Sequence, residues 1–442
     1  MKLTHQFHEM ESKFNLFDLG KNIDLPLWDI IRYSVYVKYY YPSRDRALQK
    51  VRSNQFNGKY YFKLFLKILN HLPILLFKKG EVIFFTSSRF KKEDDSYYDV
   101  VASPFISSAK NRGFAIERTF NGNIRYPHIF NMSFVLKKLV KFKLLTNSDL
   151  SNSYQKIEAA LTNTFGECHF TKEELKSLLL QYNAEYRYYK FIFRFKKVKK
   201  IFISTGNPKG HIRAAKEMKV KTYLLQHAGI EFDEIDYSYP KVINEFSNIL
   251  YPEVLLTFGD YWGKNNNIPV SRKVTIGNDN YAVKLNCSED QSILVISTII
   301  HGRELSILTK DVANNRQDIK FVFKLHPNDF HLKSYYEDFF QDNKNVRIVS
   351  SEEDTNELIA RSQLVILIVS AVLYQALHQN KKVAVYKRIN YERNKVLSNQ
   401  PNMYFFESVA EIDEILSQET IKSHDVFYES MNHSLLEAIV NE

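Results

Sequence analysis

The most regular alternation of apolar and polar positions lies in the second half of the chain. Short apolar runs alternate there with segments whose apolar residues recur at the helical period. The pattern predicts strands at residues 293–298, 319–325, 345–349, 363–368 and 381–386, and helices at residues 302–314, 331–341, 354–361 and 371–379. Strands that alternate with helices in this way are typical of a doubly wound parallel sheet.

The first half carries a less regular pattern of the same kind. It predicts strands at residues 81–86, 200–204, 221–225, 254–259 and 274–278, and helices at residues 23–41, 150–197 and 211–219. Candidate helix caps are Ser151 or Ser153, and Thr171, which opens a capping box. The strand–helix–strand succession of residues 200–225 is a βαβ unit and indicates a second parallel sheet.

These patterns predict an α/β protein with two Rossmann-type domains, and the length of 442 residues also favours two domains. We place an N-terminal domain at residues 1–255 and a C-terminal domain at residues 256–425. Residues 426–442 are predicted to form a terminal helix, with the N-terminal domain as its candidate packing surface.

The composition indicates a globular protein of a reducing compartment. Hydrophobic residues make up 44% of the chain and charged residues 25%. The two cysteines, Cys168 and Cys287, lie far apart in the sequence, which argues against a disulfide scaffold and a thiolate metal site. The first residues lack the apolar stretch of a secretory signal. We therefore expect a cytoplasmic protein, with the inner membrane as a candidate peripheral surface.

The positive charge is concentrated in the first half of the chain. Residues 1–250 contain 41 Lys and Arg against 24 Asp and Glu, a net charge of +17, whereas residues 251–442 contain 20 against 26, a net charge of −6. A basic half of this kind indicates an anionic substrate or surface. The charge alone leaves nucleic acid, anionic lipid and acidic polysaccharide open.

Three segments of the basic half interleave lysine or arginine with aromatic and aliphatic residues. They are residues 59–79, 134–145 and 186–200. Such segments are typical of helices that lie on a membrane surface, but a core-facing helix with extended lysines has the same pattern. Both interpretations stay open from the sequence.

Three turns in the C-terminal domain join the end of a predicted strand to the start of a helix. They carry His301 and Gly302, then Lys324, His326 and Pro327, and then Ser370. Ligands of open α/β sheets bind at the edge where such strands end. Imidazole, ammonium and helix-start groups can hold phosphate there through charge-assisted hydrogen bonds. Together the turns predict a nucleotide pocket, although a structural helix cap at Ser370 has the same local sequence.

A further histidine follows the predicted strand 221–225. His227 lies in the turn Gln226–Gly229, where it is expected to face the same kind of crevice. Acidic residues follow closely, among them Asp233 and Glu234. A histidine oriented by a carboxylate is a candidate general base, and the two carboxylates are candidates themselves. The alternative is a packed histidine beside an acidic surface loop.

Several familiar motifs do not occur in the sequence. There is no Walker A, GxGxxG, HExxH, GxSxG or DxD sequence. We therefore expect no metal site and no cofactor. Fixed dipoles and His326 would then stabilise a departing phosphate.

The sequence resembles bacterial glycosyltransferases of the GT-B architecture, which build capsules, lipopolysaccharide and related surface polymers. The motifs that carry the resemblance are IDLPLWDIIRY, HIRAAKEMKVKTYLLQHAGI, IDYSYP, LLTFGDYW, VTIGN, FKLHPND and VSAVLYQAL. The resemblance implies two Rossmann-type domains that face each other across a cleft. It implies an acceptor-side first domain and a donor-binding second domain.

The resemblance also implies roles for individual residues. His326 and Pro327 correspond to an HP motif and Ser370 to a Ser motif, which together bind the donor's phosphate in CMP-sugar and CDP-glycerol enzymes. His227 falls where the glycerophosphate enzymes have a catalytic histidine followed by glycine, and where the sialyltransferases have an acidic base followed by glycine. The sequence departs from the pattern at Ala228, which separates His227 from the glycine, and at Gln375, where a ribose-binding Glu is expected.

Three functions follow as hypotheses. The first is metal-independent transfer of a sugar, with a CMP-linked donor such as Kdo or sialic acid, to a glycan or lipid-linked acceptor of the bacterial surface. The second is transfer of a polyol phosphate from CDP-glycerol or a similar donor. The third is non-catalytic binding of anionic lipid or nucleic acid. No RRM, KH or helix-turn-helix signature occurs, so we expect no nucleic-acid partner.

Overall fold

The fold is taken from a computed structural model of the chain. It describes residues 2–40, 73–88, 90–91, 96–117, 123–131, 133, 146–206, 208–231, 234–241, 249–264, 266–285, 287, 290–422 and 426–441. The basic-aromatic segment 134–145, most of the segment 59–79, and Asp233 lie outside these residues. No helix within the described ranges is both long and apolar enough to cross a membrane.

The chain divides into two compact units, each built on its own parallel sheet. The first unit comprises Met1–Thr257, Gly263–Ile276 and Asn432–Glu442, and the second comprises Phe258–Trp262 and Gly277–Met431. Two parallel sheets with helical crossovers confirm the predicted α/β class with two Rossmann-type domains.

Seven parallel strands form the main sheet of the first unit. They are β1 (Val82–Thr86), β4 (Gly113–Glu117), β6 (His128–Phe130), β7 (Lys200–Ile203), β8 (Lys221–Leu225), β9 (Val254–Thr257) and β10 (Arg272–Thr275). Their order across the sheet is β10-β9-β8-β7-β1-β4-β6, and a small sheet pairs β2 (Phe90–Lys91), β3 (Ser96–Tyr98) and β5 (Asn123–Ile124). The chain order reverses between β1 and β7, as in a doubly wound sheet.

The helices of the first unit are mostly long and amphipathic. They are α1 (Lys2–Lys13), α2 (Leu27–Tyr40), α3 (Ser103–Ala109), α4 (Asn147–Phe165), α5 (Lys172–Lys196), α6 (Lys209–Glu217) and α13 (His433–Asn441). The capping box predicted at Thr171 is confirmed at the start of α5. The cap predicted at Ser151 or Ser153 is wrong, because the N-cap of α4 is Thr146, five residues before Ser151, whose side chain accepts from the backbone N–H of Asp149.

The terminal helix is shorter than predicted. It begins at His433, whereas residues 427–431 run as an irregular segment within the second unit. Trp262 Nε1 donates to the carbonyl of Phe427 at 2.6 Å. A Cβ on Gly259 would lie 2.4 Å from the carbonyl oxygen of Val426, so the LLTFGDYW motif has a glycine where two backbones meet.

Six parallel strands form the sheet of the second unit. They are β11 (Ser292–Ile296), β12 (Phe321–Lys324), β13 (Val346–Val349), β14 (Ser362–Leu367), β15 (Lys382–Tyr386) and β16 (Met403–Phe406), in the order β13-β12-β11-β14-β15-β16. The helices are α7 (Asp279–Ala282), α8 (Gly302–Asn315), α9 (Lys333–Phe339), α10 (Thr355–Arg361), α11 (Val372–His378) and α12 (Ala410–Ser417). Buried Phe321 and Phe323 of β12 pack with Leu305 of α8 in the core between sheet and helices.

Candidate functional site

The strand order of the second sheet fixes where its ligand edge lies. Numbered along the chain, the strands run 3-2-1-4-5-6, and the order reverses between β11 and β14. In register, Ile296 of β11 faces Lys324 of β12, and Val295 faces Ile366 of β14. Neighbouring strands lie about 4.8 Å apart, so the turns after β12, β11 and β14 occupy about 10 Å of one sheet edge. These are the three turns predicted from the sequence.

The turn after β12 holds His326 in a defined orientation. His326 has φ −64° and ψ 143°, the extended conformation that the following Pro327 favours. Its Nδ1 accepts from the backbone N–H of Asn328 at 3.1 Å. A ring that accepts at Nδ1 carries its proton on Nε2. The half-buried imidazole can therefore donate from Nε2 to an anionic oxygen at the sheet edge.

Lys324 lies beside His326 but its ammonium is bound within the protein. Lys324 Nζ donates to the carbonyl of Glu353 at 2.8 Å and also to that of Ser350. Burial lowers the pKa of this ammonium. A phosphate contact from Lys324 would require the ammonium to leave these two carbonyls.

The turn after β11 surrounds Gly302, the first residue of α8. A Cβ at this position would lie 2.7 Å from Tyr336 Oη and 2.8 Å from Ser297 Oγ, so any other residue would require these two side chains to shift. Within the described structure, the buried Ser297 Oγ has no hydrogen-bond partner. His301 is buried, and its Nδ1 lies 3.0 Å from Glu304 Oε2. The unpartnered hydroxyl adds a polar group that was not predicted from the sequence.

The turn after β14 places Ser370 at the entry of α11. Ser370 Oγ accepts from the backbone N–H of Val372 at 3.3 Å. The prediction of Ser370 as the helix N-cap is off by one residue, because the N-cap is Ala371. Gln375 lies one turn further along α11 and is half-buried.

His227 lies in the first unit, in the exposed turn after β8. Tyr237 Oη is 3.4 Å from His227 Nδ1. Burial raises the pKa of Tyr237, so its hydroxyl keeps its proton at neutral pH. Glu234, the predicted partner carboxylate, is half-buried and precedes the short helical turn Ile235–Tyr237. Tyr237 is a neighbour of His227 that the sequence reasoning did not assign.

A buried ion pair holds the loop that carries Tyr237. Arg32 of α2 donates to the carbonyls of Ile235 and Ser238, at 2.5 Å and 2.7 Å. The same guanidinium donates to both carboxylate oxygens of Glu11 from α1. The contact joins two motifs that lie far apart in the sequence, IDLPLWDIIRY and IDYSYP, and nothing in either motif alone indicates that they touch.

Asp236 in the same turn has an unusual acidity. Its pKa is raised from the ordinary value of 3.8 to about 6 by burial, against the attraction of Lys209 and Arg32. A carboxylate whose pKa lies near the working pH is suited to general base catalysis. Asp236 therefore joins His227 and Glu234 as a candidate base in this turn.

The described residues contain no group of three or more His, Cys, Asp or Glu that could hold a metal ion. The absence of a metal requirement stays a prediction from the sequence.

Comparisons with known proteins support the interpretation of the second unit. Residues 278–425, about a third of the chain, match the model of a family described as "Capsule polysaccharide biosynthesis protein". The match confirms the predicted resemblance to capsule-building proteins for this region, which holds the sheet and all three turns. A comparison with curated proteins finds no match.

Solved structures that match the chain include an epimerase, MurG and a glycosyltransferase. The first, UDP-GlcNAc 2-epimerase from Methanocaldococcus jannaschii, is 12% identical, with a TM-score of 0.47 over 81% of this chain and 99% of the other. Acinetobacter baumannii MurG is 11% identical, with a TM-score of 0.39 over 77% and 89%. A glycosyltransferase from Rickettsia africae is 10% identical, with a TM-score of 0.42 over 82% and 94%. TM-scores below 0.5 establish neither a shared fold nor a shared function.

Proposed function

We propose that the chain is a glycosyltransferase that moves a sugar from a nucleotide-activated donor to an acceptor glycan of a bacterial surface polymer. The observation that carries the proposal is the grouping of three polar strand-to-helix turns on one edge of the second sheet. These turns lie inside the region that matches the capsule-synthesis family. An edge at the reversal of strand order is where open α/β sheets bind nucleotides.

The proposed chemistry assigns the departing nucleotide to the second unit. His326 donates from Nε2 to a phosphate oxygen, and Ser370 and the turn of Gly302 offer hydroxyl and backbone N–H groups. Hydrogen bonds to the growing negative charge lower the barrier for departure of the nucleotide. We propose a CMP-linked donor, such as Kdo or sialic acid, and transfer without a metal ion.

The base is proposed to come from the turn after β8 in the first unit. His227, Glu234 and Asp236 are candidates within the described residues, and Asp233 remains a candidate from the sequence. For His227 to act through Nε2, its hydrogen must lie on Nδ1 and be donated to Tyr237 Oη. The acceptor hydroxyl would lose its proton to this base as it attacks the anomeric carbon of the donor.

The test combines ligand binding with turnover. A thermal-shift panel of CMP, CDP, UDP and GDP identifies the nucleotide, because a ligand that binds the folded state raises Tm. Radiolabelled donor then measures transfer, with and without EDTA. His326→Ala should reduce transfer at least 100-fold, whereas exposed His331→Ala, five residues away, should leave it unchanged. Full transfer by His326→Ala would overturn the assignment.

A second candidate function is transfer of a polyol phosphate from a CDP-polyol. The exposed His227 in its strand-end turn favours it, because the resemblance matches this histidine to the catalytic residue of glycerophosphate enzymes. The two functions differ in their products. Sugar transfer from a CMP-linked donor releases CMP and adds no phosphorus to the acceptor, whereas transfer from CDP-glycerol adds one phosphate per event.

We further propose that transfer takes place at the cytoplasmic face of the inner membrane, where a lipid-linked acceptor would be present. The basic first half of the chain supports this location. Localisation of the tagged full-length chain in fractionated cells tests it. Recovery wholly in the soluble fraction at low salt would contradict it.

A further inference from the structure

Two phenylalanines lie exposed on the outer face of helix α5. Phe191 is 61% exposed and Phe195 is 48% exposed. Their rings are parallel within 8°, with centroids 5.9 Å apart, as expected for residues four positions apart on one helix face. On the opposite side of this part of α5, Ile192 and Phe193 are fully buried. The C-terminal half of α5 therefore buries apolar side chains in the core and also exposes two of them to solvent.

A second segment of the first unit adds apolar side chains to this region. Residues 73–77 are helical, with Leu76 48% exposed and Phe77 84% exposed. Lys196 of α5 fixes the end of this segment, because its Nζ donates to the carbonyl of Lys78 at 2.7 Å. The two segments thus contribute to one surface, which we call the α5 face and define as Leu76, Phe77, Phe191 and Phe195 with the basic residues around them.

Basic residues predominate along the α5 face, and Glu217, which approaches α5 at Lys190, is paired with that lysine. No Asp or Glu occurs between Glu185 and Glu217. Arg187 and Arg194 follow the helical spacing of the two phenylalanines, and Lys197 comes directly after the helix. All three basic residues are exposed. The nearest acidic residue along the other segment, Glu81, forms ion pairs with Arg112 and Lys199.

We propose that the α5 face docks the protein on an anionic lipid bilayer. Exposed aromatic and aliphatic side chains enter the headgroup region, while arginine and lysine beside them bind anionic headgroups. Nucleic acid fits the same charge but not the same apolar groups. The two phenylalanine rings stack on each other, and Leu76 has no ring on which a base could stack. Only the biological role of docking rests on the proposed function. Docking itself is measured without any donor.

The main experiment is flotation of the full-length chain with vesicles. Vesicles of phosphatidylglycerol and phosphatidylcholine are compared with vesicles of phosphatidylcholine alone, at low and high salt. We expect binding to the anionic vesicles that weakens as salt rises. Because each basic residue at the surface contributes about a fivefold factor, Arg194→Gln with Lys197→Gln should weaken binding about 25-fold. Phe191→Ser with Phe195→Ser should weaken it by at least tenfold.

The controls separate docking from folding and from transfer. Ile389→Ser, in the second unit, removes an equally exposed apolar side chain (70% exposed) and should leave vesicle binding unchanged. All variants should keep the melting temperature and the turnover of a water-soluble acceptor. If transfer fails for the unmodified chain while vesicle binding behaves as expected, only the proposed function is lost.

Three results would overturn the proposal. One is absence of binding to anionic vesicles, and another is equal binding by the Phe191/Phe195 variant and the unmodified chain. The third is a dimer or an oligonucleotide complex that the same substitutions abolish while vesicle binding is unaffected. That result would assign the α5 face to a second copy of the chain or to nucleic acid.

Discussion

Arg32 and Glu11 form an ion pair in the interior of the first unit, with Nη2 of the arginine 3.0 Å from Oε2 of the carboxylate. Both side chains are almost fully buried, and Trp28 Nε1 also donates to the same carboxylate. Because Arg32 also binds the carbonyls of Ile235 and Ser238, the pair connects the first two helices to the turn beside His227. The N-terminal helices therefore act as the support of a candidate catalytic loop.

Removing one member of this pair should destabilise the first unit strongly. Arg32→Met leaves the Glu11 carboxylate buried without its cation and frees two backbone carbonyls. We expect a loss of about 3–5 kcal/mol in the free energy of unfolding, measured by urea titration. Arg213→Met is the matched control. Its partners Asp24 and Glu217 both lie at the surface, so the loss there should be about 1 kcal/mol. Similar losses for the two variants would contradict the buried role of Arg32.

The close contacts around Gly302 lead to a second prediction about stability. Gly302→Ala places a methyl group against Tyr336 Oη and Ser297 Oγ, so we expect a loss of about 1–3 kcal/mol in the free energy of unfolding. If those two oxygens cause the loss, the same substitution should cost less in a background of Tyr336→Phe and Ser297→Ala. Urea titration of the four chains gives the coupling. If Gly302→Ala lowers the free energy of unfolding equally in both chains, the loss does not come from contact with these two oxygens.

The second unit was predictable because its strands are short apolar runs with helical segments between them. Residues 383–386 (VAVY), for example, are buried on both sides of the sheet and form a continuous apolar pattern. Strand β16 (Met403–Phe406) was missed because it lies at the sheet edge, where half-buried tyrosine and phenylalanine give no clear alternation. Strand β4 (Gly113–Glu117) was missed because its buried glutamate and its glycine resemble a loop.

The site was predictable only as far as local sequence determines it. His326 before Pro327 and Gly302 at a helix start have local signals, and the structure places both at the predicted sheet edge. Lys324 has the charge expected of a phosphate ligand. Its ammonium nevertheless binds the carbonyls of Ser350 and Glu353, which lie 26 and 29 residues away in the sequence. The contact from Arg32 to Ile235 spans 203 residues, and no local pattern indicates it. From the sequence alone, a charged side chain that binds backbone carbonyls within the protein thus looks the same as one that binds a substrate.

The hydroxyl of Tyr237 should affect the rate of transfer more than substrate binding. Tyr237→Phe removes the hydroxyl that lies 3.4 Å from His227 Nδ1 and leaves the buried ring in place. We expect kcat to fall about threefold to tenfold with KM for the donor unchanged, because an orienting contact to the base is lost. Steady-state kinetics with saturating acceptor provide the measurement. Tyr189→Phe is the control, because Tyr189 is fully buried in α5 and its hydroxyl has no hydrogen-bond partner within the described residues. A changed KM with constant kcat would remove the positioning role from Tyr237.

The raised pKa of Asp236 gives a stability that depends on pH. Because the folded protein holds the Asp236 proton more tightly than the unfolded chain, the ionised carboxylate destabilises the fold increasingly between pH 3.8 and about 6. Above that range the cost stays constant, at about 1–3 kcal/mol. Asp236→Asn carries no charge and should therefore be more stable than the unmodified chain at about pH 8.

The stability difference between the two chains should shrink as the pH falls from about 6 and vanish only below about pH 3, where Asp236 is protonated in both the folded and the unfolded state. Urea titrations across this range measure it, with exposed Asp342→Asn as a control that changes no buried charge. If Asp236 is also the base of the reaction, the asparagine variant loses transfer while gaining stability. A variant that is less stable at about pH 8 would show that Asp236 is held as a stabilising anion by Lys209 and Arg32, and its role as a titrating base would then be excluded.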